Sequence, residues 1–461
     1  MDYQEFIASK RFMAKSYGFE VSELHPSLFE FQKDLVRWAL AKGRSALFTM
    51  TGTGKTLMQC EWAKQVHLRT GGDVLILAPL AVSSQTVRES ELIDLEVRLC
   101  KTQEDVKPGV NITNYERLHQ FSPEQFSGIV LDESSILKAY TSKTKNQIID
   151  LFLQTPYKLA CTATPAPNDF MELGNHSEFL GVMSRTEMLS MFFVHDGGET
   201  QKWRLKGHAE EKFWEWVSSW GVVLSKPSDL GYSDEGFILP PLRIHDKEVY
   251  VDKTEEGSLF PGVAKGLQDR QRARMDSLEE RCKLAAEIVN SSSEPFLMWC
   301  DRNAESSLLK KLIPDAIEVK GSDSNEHKER SMLGFSDGRI RVLVTKPSIA
   351  GFGMNWQHCS QMAFVGLSDS FEQYFQAVRR CWRFGQKKPV DVYVVTSNLE
   401  GAVTANIKRK EADAKEMLEG MVRFTQELTK KEIKKTTREL ASYQAEKEMI
   451  CPSWLKSQIS I

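Results

Sequence analysis

SALFTMTGTGKT, Ser45 to Thr56, decides how this 461-residue chain is read. An apolar run ends at Met50, and a string of small and hydroxyl residues closes on Lys55–Thr56. The stretch that follows, KTLMQCEWAKQVHLR, has helical periodicity. A glycine-bearing turn between a strand and a helix is what a phosphate-binding loop requires. Gly52 and Gly54 let the backbone turn so that its N–H groups face phosphate oxygens, and the helix N-terminus adds the positive end of its dipole. Lys55 is then placed for the β- and γ-phosphates and the Thr56 hydroxyl for Mg²⁺. Thr51 to Thr56 are therefore the candidate nucleotide-binding residues, with ATP and Mg²⁺ as the expected ligands.

A partner for this loop lies 77 residues beyond Lys55, in GIVLDES. Four apolar or glycine residues form a strand that ends in Asp132–Glu133. Paired acids at the end of a buried strand are costly unless they work. Asp132 is expected to hold Mg²⁺, and Glu133 to accept the proton of an attacking water. QAVRRCWRFGQ, further along, spaces Gln376, Arg380 and Arg383 at i, i+4 and i+7 on one helical face. Guanidinium groups there suit negative charge developing on a γ-phosphate.

Short apolar runs alternate with helical patterns, and the series occurs twice. SALFTM, DVLILAP, NITNY, GIVLDE and KLACTAT make the first set, and PFLMWC, AIEV, IRVLVT, MAFVG and VDVYVVT the second. Such alternation predicts parallel sheets covered on both faces. The expected fold class is α/β: two tandem RecA-like lobes, an interlobe insertion and a helical C-terminal tail. The boundaries read as an ATP-binding lobe over 1–175, an insertion and linker over 176–275, a second lobe over 276–400 and the tail over 401–461. The tail carries 12 basic and 9 acidic residues, which fits either a solvated helical face or nucleic-acid contact.

Composition narrows the class without naming it. Apolar residues are 41% and charged residues 27%, which excludes wholesale disorder. The net charge of −3 advertises no polyanion partner. No apolar run is long enough to span a membrane, and MDYQEFIASKRF has no signal-peptide core. The eight cysteines form no CxxC and read as buried reduced thiols of a cytoplasmic protein. Phe213, Trp216, Val217 and Trp220 in FWEWVSSW read as core, and Phe352 and Trp356 as core or DNA contact. Arg270, Arg272 and Arg274, with Lys265 nearby, read as phosphate contacts in the linker.

These residues together resemble a superfamily-two helicase of the Swi/Snf type, the double-stranded DNA translocases. FEFQKDLVRWAL resembles the adenine-reading Q motif, with Gln32 as its glutamine. LILAPLAVSSQTVRE resembles motif Ia, with Pro79 and Gln85 in place, and LDESSILKAYTSKTKN a long motif II with Lys138 and Ser142. LACTATPAPND resembles motif III, which assigns Thr162 and Thr164 to coupling between ATP state and DNA. VTKPSIAGFGMNWQ resembles motif V through Gly351, Gly353 and Asn355, with Gly353 on the nucleotide side, and QAVRRCWRFGQKKPVDVYVV resembles motif VI. ILPPL matches the Leu-Pro start of the linker at Leu239–Pro241. The chain departs from the family at Ser134–Ser135, where a small residue and His are common, at Trp382 in place of His, and at Thr53 in place of Leu.

The resemblance implies a monomeric, DNA-dependent ATPase similar to compact phage and bacterial motors. It would work in a bacterial or phage-infected cytoplasm, alongside a separate nuclease or replication or recombination proteins. A strand-separating or branch-migrating helicase, a DEAD-box RNA helicase and an ATP-gated DNA-binding module are the alternatives.

Overall fold

In the computed structural model, the strand before TGTGKT is β1 (Arg44–Thr49) of a seven-stranded sheet. The structure describes residues 13–138, 143–166, 169–195, 203–251, 274–350, 354–368, 370–398 and 400–437. β2 (Asp73–Ala78), β3 (Val97–Leu99), β4 (Val110–Asn114), β5 (Phe126–Asp132) and β6 (Tyr157–Cys161) follow along the chain. β7 (Phe193–His195) and β8 (Trp203–Leu205) form a small antiparallel pair, and β9 (Gly221–Leu224) returns to the main sheet. The order is β3-β4-β2-β5-β6-β1-β9, with every pairing parallel.

Alternation along each strand sends side chains to opposite faces. Leu47, Ile76, Val130 and Leu159 pack with Trp38 and Trp62 of the helices Glu30–Lys42 and Lys55–Thr70. Phe48, Leu77, Leu131 and Ala160 face the other way, against Phe213, Trp214, Trp216 and Trp220. FWEWVSSW is therefore core, as its spacing predicts. Burial on both faces explains why these strands read as apolar runs.

The second lobe holds β10 (Leu242–Val249), β11 (Phe296–Cys300), β12 (Ala316–Glu318), β13 (Val342–Thr345), β14 (Gln361–Val365) and β15 (Val390–Ser397). Its order is β10-β15-β14-β11-β13-β12, again all parallel. All ten strands expected from the apolar runs are present. The seven described cysteines are free and buried, and no described helix is long and apolar enough to cross a membrane.

Two expectations about organisation are corrected. The interval 176–275 is not one separate insertion: β9 pairs with β1 and extends the first sheet, while β10 pairs with β15 and edges the second. β10 escapes notice because, as a largely solvent-facing edge strand, it has no apolar face to bury. The tail, in turn, is not mainly a solvated face. A single helix, Gly401–Thr437, buries Val403 and Ile407 in the second-lobe core, then Met421 and Ile433 in the first-lobe cores. Phe424 stacks on Trp214 at 5.5 Å and 4°, and Glu432 pairs with Lys42 at 2.9 Å. At 1.5 Å per residue this helix is about 55 Å long, enough to strap one lobe to the other. Phe424→Ala is expected to cost about 1–3 kcal/mol of first-lobe stability, read as a lower denaturation midpoint.

Candidate functional site

The phosphate loop leaves β1 at its C-terminal end, and Asp132–Glu133 leave β5 at the same edge of the sheet, one strand away. Crevices at that edge of a parallel sheet are where such folds bind ligands. Gly52 and Gly54 have φ of 90° and 85°, the left-handed region that favours glycine. A Cβ on Gly54 would lie 2.2 Å from Gln32 Nε2, and one on Gly52 would lie 2.9 Å from the Phe384 backbone nitrogen. The loop is thus packed against the Gln32 helix on one side and the second lobe on the other.

Gln32 is buried, donates to the Thr53 carbonyl at 2.8 Å and accepts the Phe29 N–H at 2.9 Å. It fastens the loop to its own helix. Thr53 fills the position of the family's Leu by hydrogen-bonding through Oγ1 to Thr49 Oγ1 and the Met50 carbonyl. Thr51 Oγ1 is buried without a partner. Thr56 is half-buried in the first turn of the helix that begins at Lys55.

Lys55 Nζ donates to the Thr49 carbonyl at 2.7 Å and to the Met50 carbonyl at 3.3 Å. Burial lowers its pKa, Glu133 and Asp132 oppose that, and Arg383 lowers it further. Burial, followed by the charge of Glu133, pushes Asp132 up to about 7, against the pull of Gln59 and Lys55. Glu133 has φ of 55°, and its Oε2 accepts from Thr162 Oγ1 at 3.3 Å. Thr162 Oγ1 in turn accepts the Thr164 N–H at 3.1 Å, so the motif III hydroxyl touches the Glu133 carboxylate directly. A glycine-turned loop at a helix N-terminus, an ammonium bonded to carbonyls and two adjacent acids fit a nucleoside triphosphate with a divalent cation.

Motif VI brings its arginines to this edge. Arg380 donates to the Gln376 carbonyl, Gln376 Oε1 and the Met354 carbonyl at 3.0–3.1 Å. Arg383 donates to the Met354 carbonyl at 3.4 Å, and its Nε is buried without a partner. Among the described residues, neither guanidinium has a carboxylate in salt-bridge contact. Burial lowers Arg380 to about 10, while Glu133 and Asp132 pull the other way across the lobes. Gln376 is fully buried and braces Arg380.

Other expected positions divide. Pro79 caps the helix Leu80–Ser90, on which Gln85 donates to Glu89 at 2.5 Å. Asn355 Oδ1 and Thr164 Oγ1 are buried without partners. Gly351, Gly353, Phe352, Ser142, Lys265, Arg270 and Arg272 lie outside the described residues. Arg274 is not a phosphate contact: it is buried and pairs with Asp301 at 3.2 Å and Glu400 at 3.8 Å. Trp356 is core, packed edge-on against Phe335 with its Nε1–H on Ser336.

Four residues within or beside the motifs have contacts that only the fold reveals. Glu89 acts electrostatically on both Asp132 and Arg383. Phe384 packs on Phe237 and Phe29 beside Gln32, joining linker, first lobe and motif VI. Lys138 forms a salt bridge to Glu372, at the start of the helix Phe371–Val378 in the second lobe. Trp382 donates to the Pro240 carbonyl at 2.7 Å, tying motif VI to the linker.

Residues 280–385, the second-lobe core through motif VI, match the helicase conserved C-terminal domain family. That match covers about a quarter of the chain and lies within the second lobe. Two curated relatives are the bifunctional helicase and thymine dioxygenases of Leishmania braziliensis and Leishmania infantum. Each is 31% identical over 83 residues, 18% of this chain and 8% of the relative's length. The chain thus spans less than a tenth of the length of those relatives. A solved structure, the Sulfolobus solfataricus SWI2/SNF2 ATPase core in complex with dsDNA, is 18% identical with a TM-score of 0.42. That likeness covers 91% of this chain and 99% of the other.

Proposed function

We propose that this chain is a helicase of the Swi/Snf type, a DNA-dependent ATPase that converts ATP hydrolysis between its lobes into movement along double-stranded DNA. The observation that carries the reading is that the loop before Lys55 packs against motif VI, where a Cβ on Gly52 would lie 2.9 Å from the backbone nitrogen of Phe384, the residue after Arg383. Arg383 then acts on Lys55, and Arg380 on Glu133 and Asp132, across the lobes.

Chemistry follows from their types. Loop N–H groups and Lys55 bind the triphosphate and orient it. Mg²⁺, when held through Thr56 and Asp132, supplies charge neutralisation at the phosphates. Glu133 takes the proton from the attacking water, and Thr162 orients its carboxylate. Arg380 and Arg383 stabilise charge that develops on the transferring phosphoryl group. Because base and arginines sit on different lobes, the full set assembles only when the lobes close. Hydrolysis then removes the anion that draws them together, and closure alternates with opening.

Motifs Ia, III and V supply the contacts to the nucleic-acid backbone in this reading, so each cycle shifts one set of contacts relative to the other. Contacts to phosphate carry little base information, and movement is therefore largely independent of sequence. Displacement of a third strand from a triplex tests this. The wild-type chain with ATP releases the strand, whereas Lys55→Ala does not. Duplex-stimulated ATP turnover without displacement would leave an ATPase but remove the translocase.

A further inference from the structure

Resting on that ATPase reading, we propose that the helix Leu173–Leu180 is a positioning element for Glu133. Asn175 and His176, adjacent on that helix, hold the segment 134–138 and thereby set how the Glu133 carboxylate is presented.

Glu133 and Asp94 are the two non-glycine residues with positive φ among the described residues. A side chain with a Cβ rarely adopts that conformation, and it persists where the surroundings over-determine it. Thr162 reaches the carboxylate tip, and the segment that follows, Ser134–Lys138, is a short 3-10 helix whose Ile136 N–H donates to the Glu133 carbonyl at 3.3 Å. A turn this short is held in place by contacts from elsewhere. His176 Nε2 lies 3.1 Å from Ser134 Oγ, with both residues fully buried. Asn175 Nδ2 donates to the Leu137 carbonyl at 2.8 Å and the Lys138 carbonyl at 3.1 Å. The segment is thus gripped at its first residue and at its last two.

The imidazole is itself set in place. Phe48 of β1 packs edge-on against it, with ring centroids 5.1 Å apart. The strand that delivers the phosphate loop therefore also fixes the plane of the ring that holds Ser134. The grip extends to the second lobe, because Lys138 pairs with Glu372 on the helix that carries Gln376. Ser134 supplies the partner that a buried His176 needs. Neither Asn175 nor His176 contacts Glu133 directly, so both are positioning residues.

Four variants of the full chain test this: His176→Leu, His176→Gln, Ser134→Ala and the double Ser134→Ala/His176→Leu. Two readouts are taken: kcat and KM for ATP with saturating duplex DNA, and amide hydrogen exchange over 133–138 without nucleotide. His176→Leu is expected to lower kcat about tenfold with KM within twofold, because misplacement of a reacting group acts on the chemical step. His176→Gln keeps a polar group near the Nε2 position and is expected to restore most of that loss. Exchange over 133–138 quickens in His176→Leu and Ser134→Ala but not in His176→Gln. The double variant is no worse than the worse single, since residues that act as one unit are not additive.

Equal behaviour of His176→Leu and His176→Gln on both readouts would overturn the proposal, as would additive losses in the double variant. If His176→Leu does not fold, Ser134→Ala decides: unchanged exchange and unchanged kcat contradict the grip. A wild-type chain without ATP turnover would sink the ATPase reading alone. The exchange measurement needs no catalysis and still decides the grip.

Discussion

Glu133→Gln is expected to lower DNA-stimulated ATP turnover by about 10²- to 10⁴-fold, the usual contribution of a positioned general base. The substitution keeps shape and removes only the ability to take a proton. Thr162 still finds an oxygen acceptor in the amide, and Lys55 keeps its carbonyl partners at Thr49 and Met50. Asp132 remains available to the cation. ATP binding, measured directly by equilibrium titration, therefore stays within a few-fold of wild type while steady-state hydrolysis collapses. Loss of binding together with turnover would mean that Glu133 is part of the phosphate cradle and not the base.

Arg383→Ala is expected to reduce turnover by about 10³-fold or more, the range reported for arginines that complete a phosphoryl-transfer site. Among the described residues the Arg383 side chain makes one hydrogen bond, to the Met354 carbonyl, and its Nε has no partner, so little of the described fold depends on it. Arg380 is different. It satisfies Gln376 and Met354, and Arg380→Ala leaves those acceptors without it as well as removing charge. Arg383→Lys keeps the charge but loses the planar fork, and a rescue below one part in ten is expected. Thermal unfolding unchanged from wild type, with turnover lost, separates a transition-state role from a structural one. Near-normal turnover in Arg383→Ala would move the arginine role to Arg380 alone.

Most of the architecture was legible because parallel sheets are buried on both faces. Strands such as DVLILA and FLMWC are then apolar throughout and stand out from their flanks. The phosphate loop was legible for a second reason, since its geometry demands particular residues at fixed spacing. What stayed hidden depends on partners far away in sequence. Arg274 looks like a basic linker residue until Asp301 and Glu400 are seen beside it. Trp356 reads as core or DNA contact until Phe335 is seen packed against it. His176 and Glu372 carry no local pattern, because each acts through a tertiary contact.

The tail shows how composition misleads. Its abundance of Lys and Glu hides Met421, Phe424 and Ile433, the part of the helix that packs on the first lobe. A −3 average conceals the useful positive charge in the same way, because Lys55, Arg380 and Arg383 are concentrated where two lobes meet.

The most direct test is steady-state ATP hydrolysis by the full chain with Mg²⁺, titrated with single-stranded, duplex, forked and four-way DNA and with RNA. The account predicts that DNA containing duplex raises the rate well above RNA or no nucleic acid, and that Lys55→Ala abolishes the increase. A rate that no nucleic acid changes, or one that RNA alone stimulates, would contradict it.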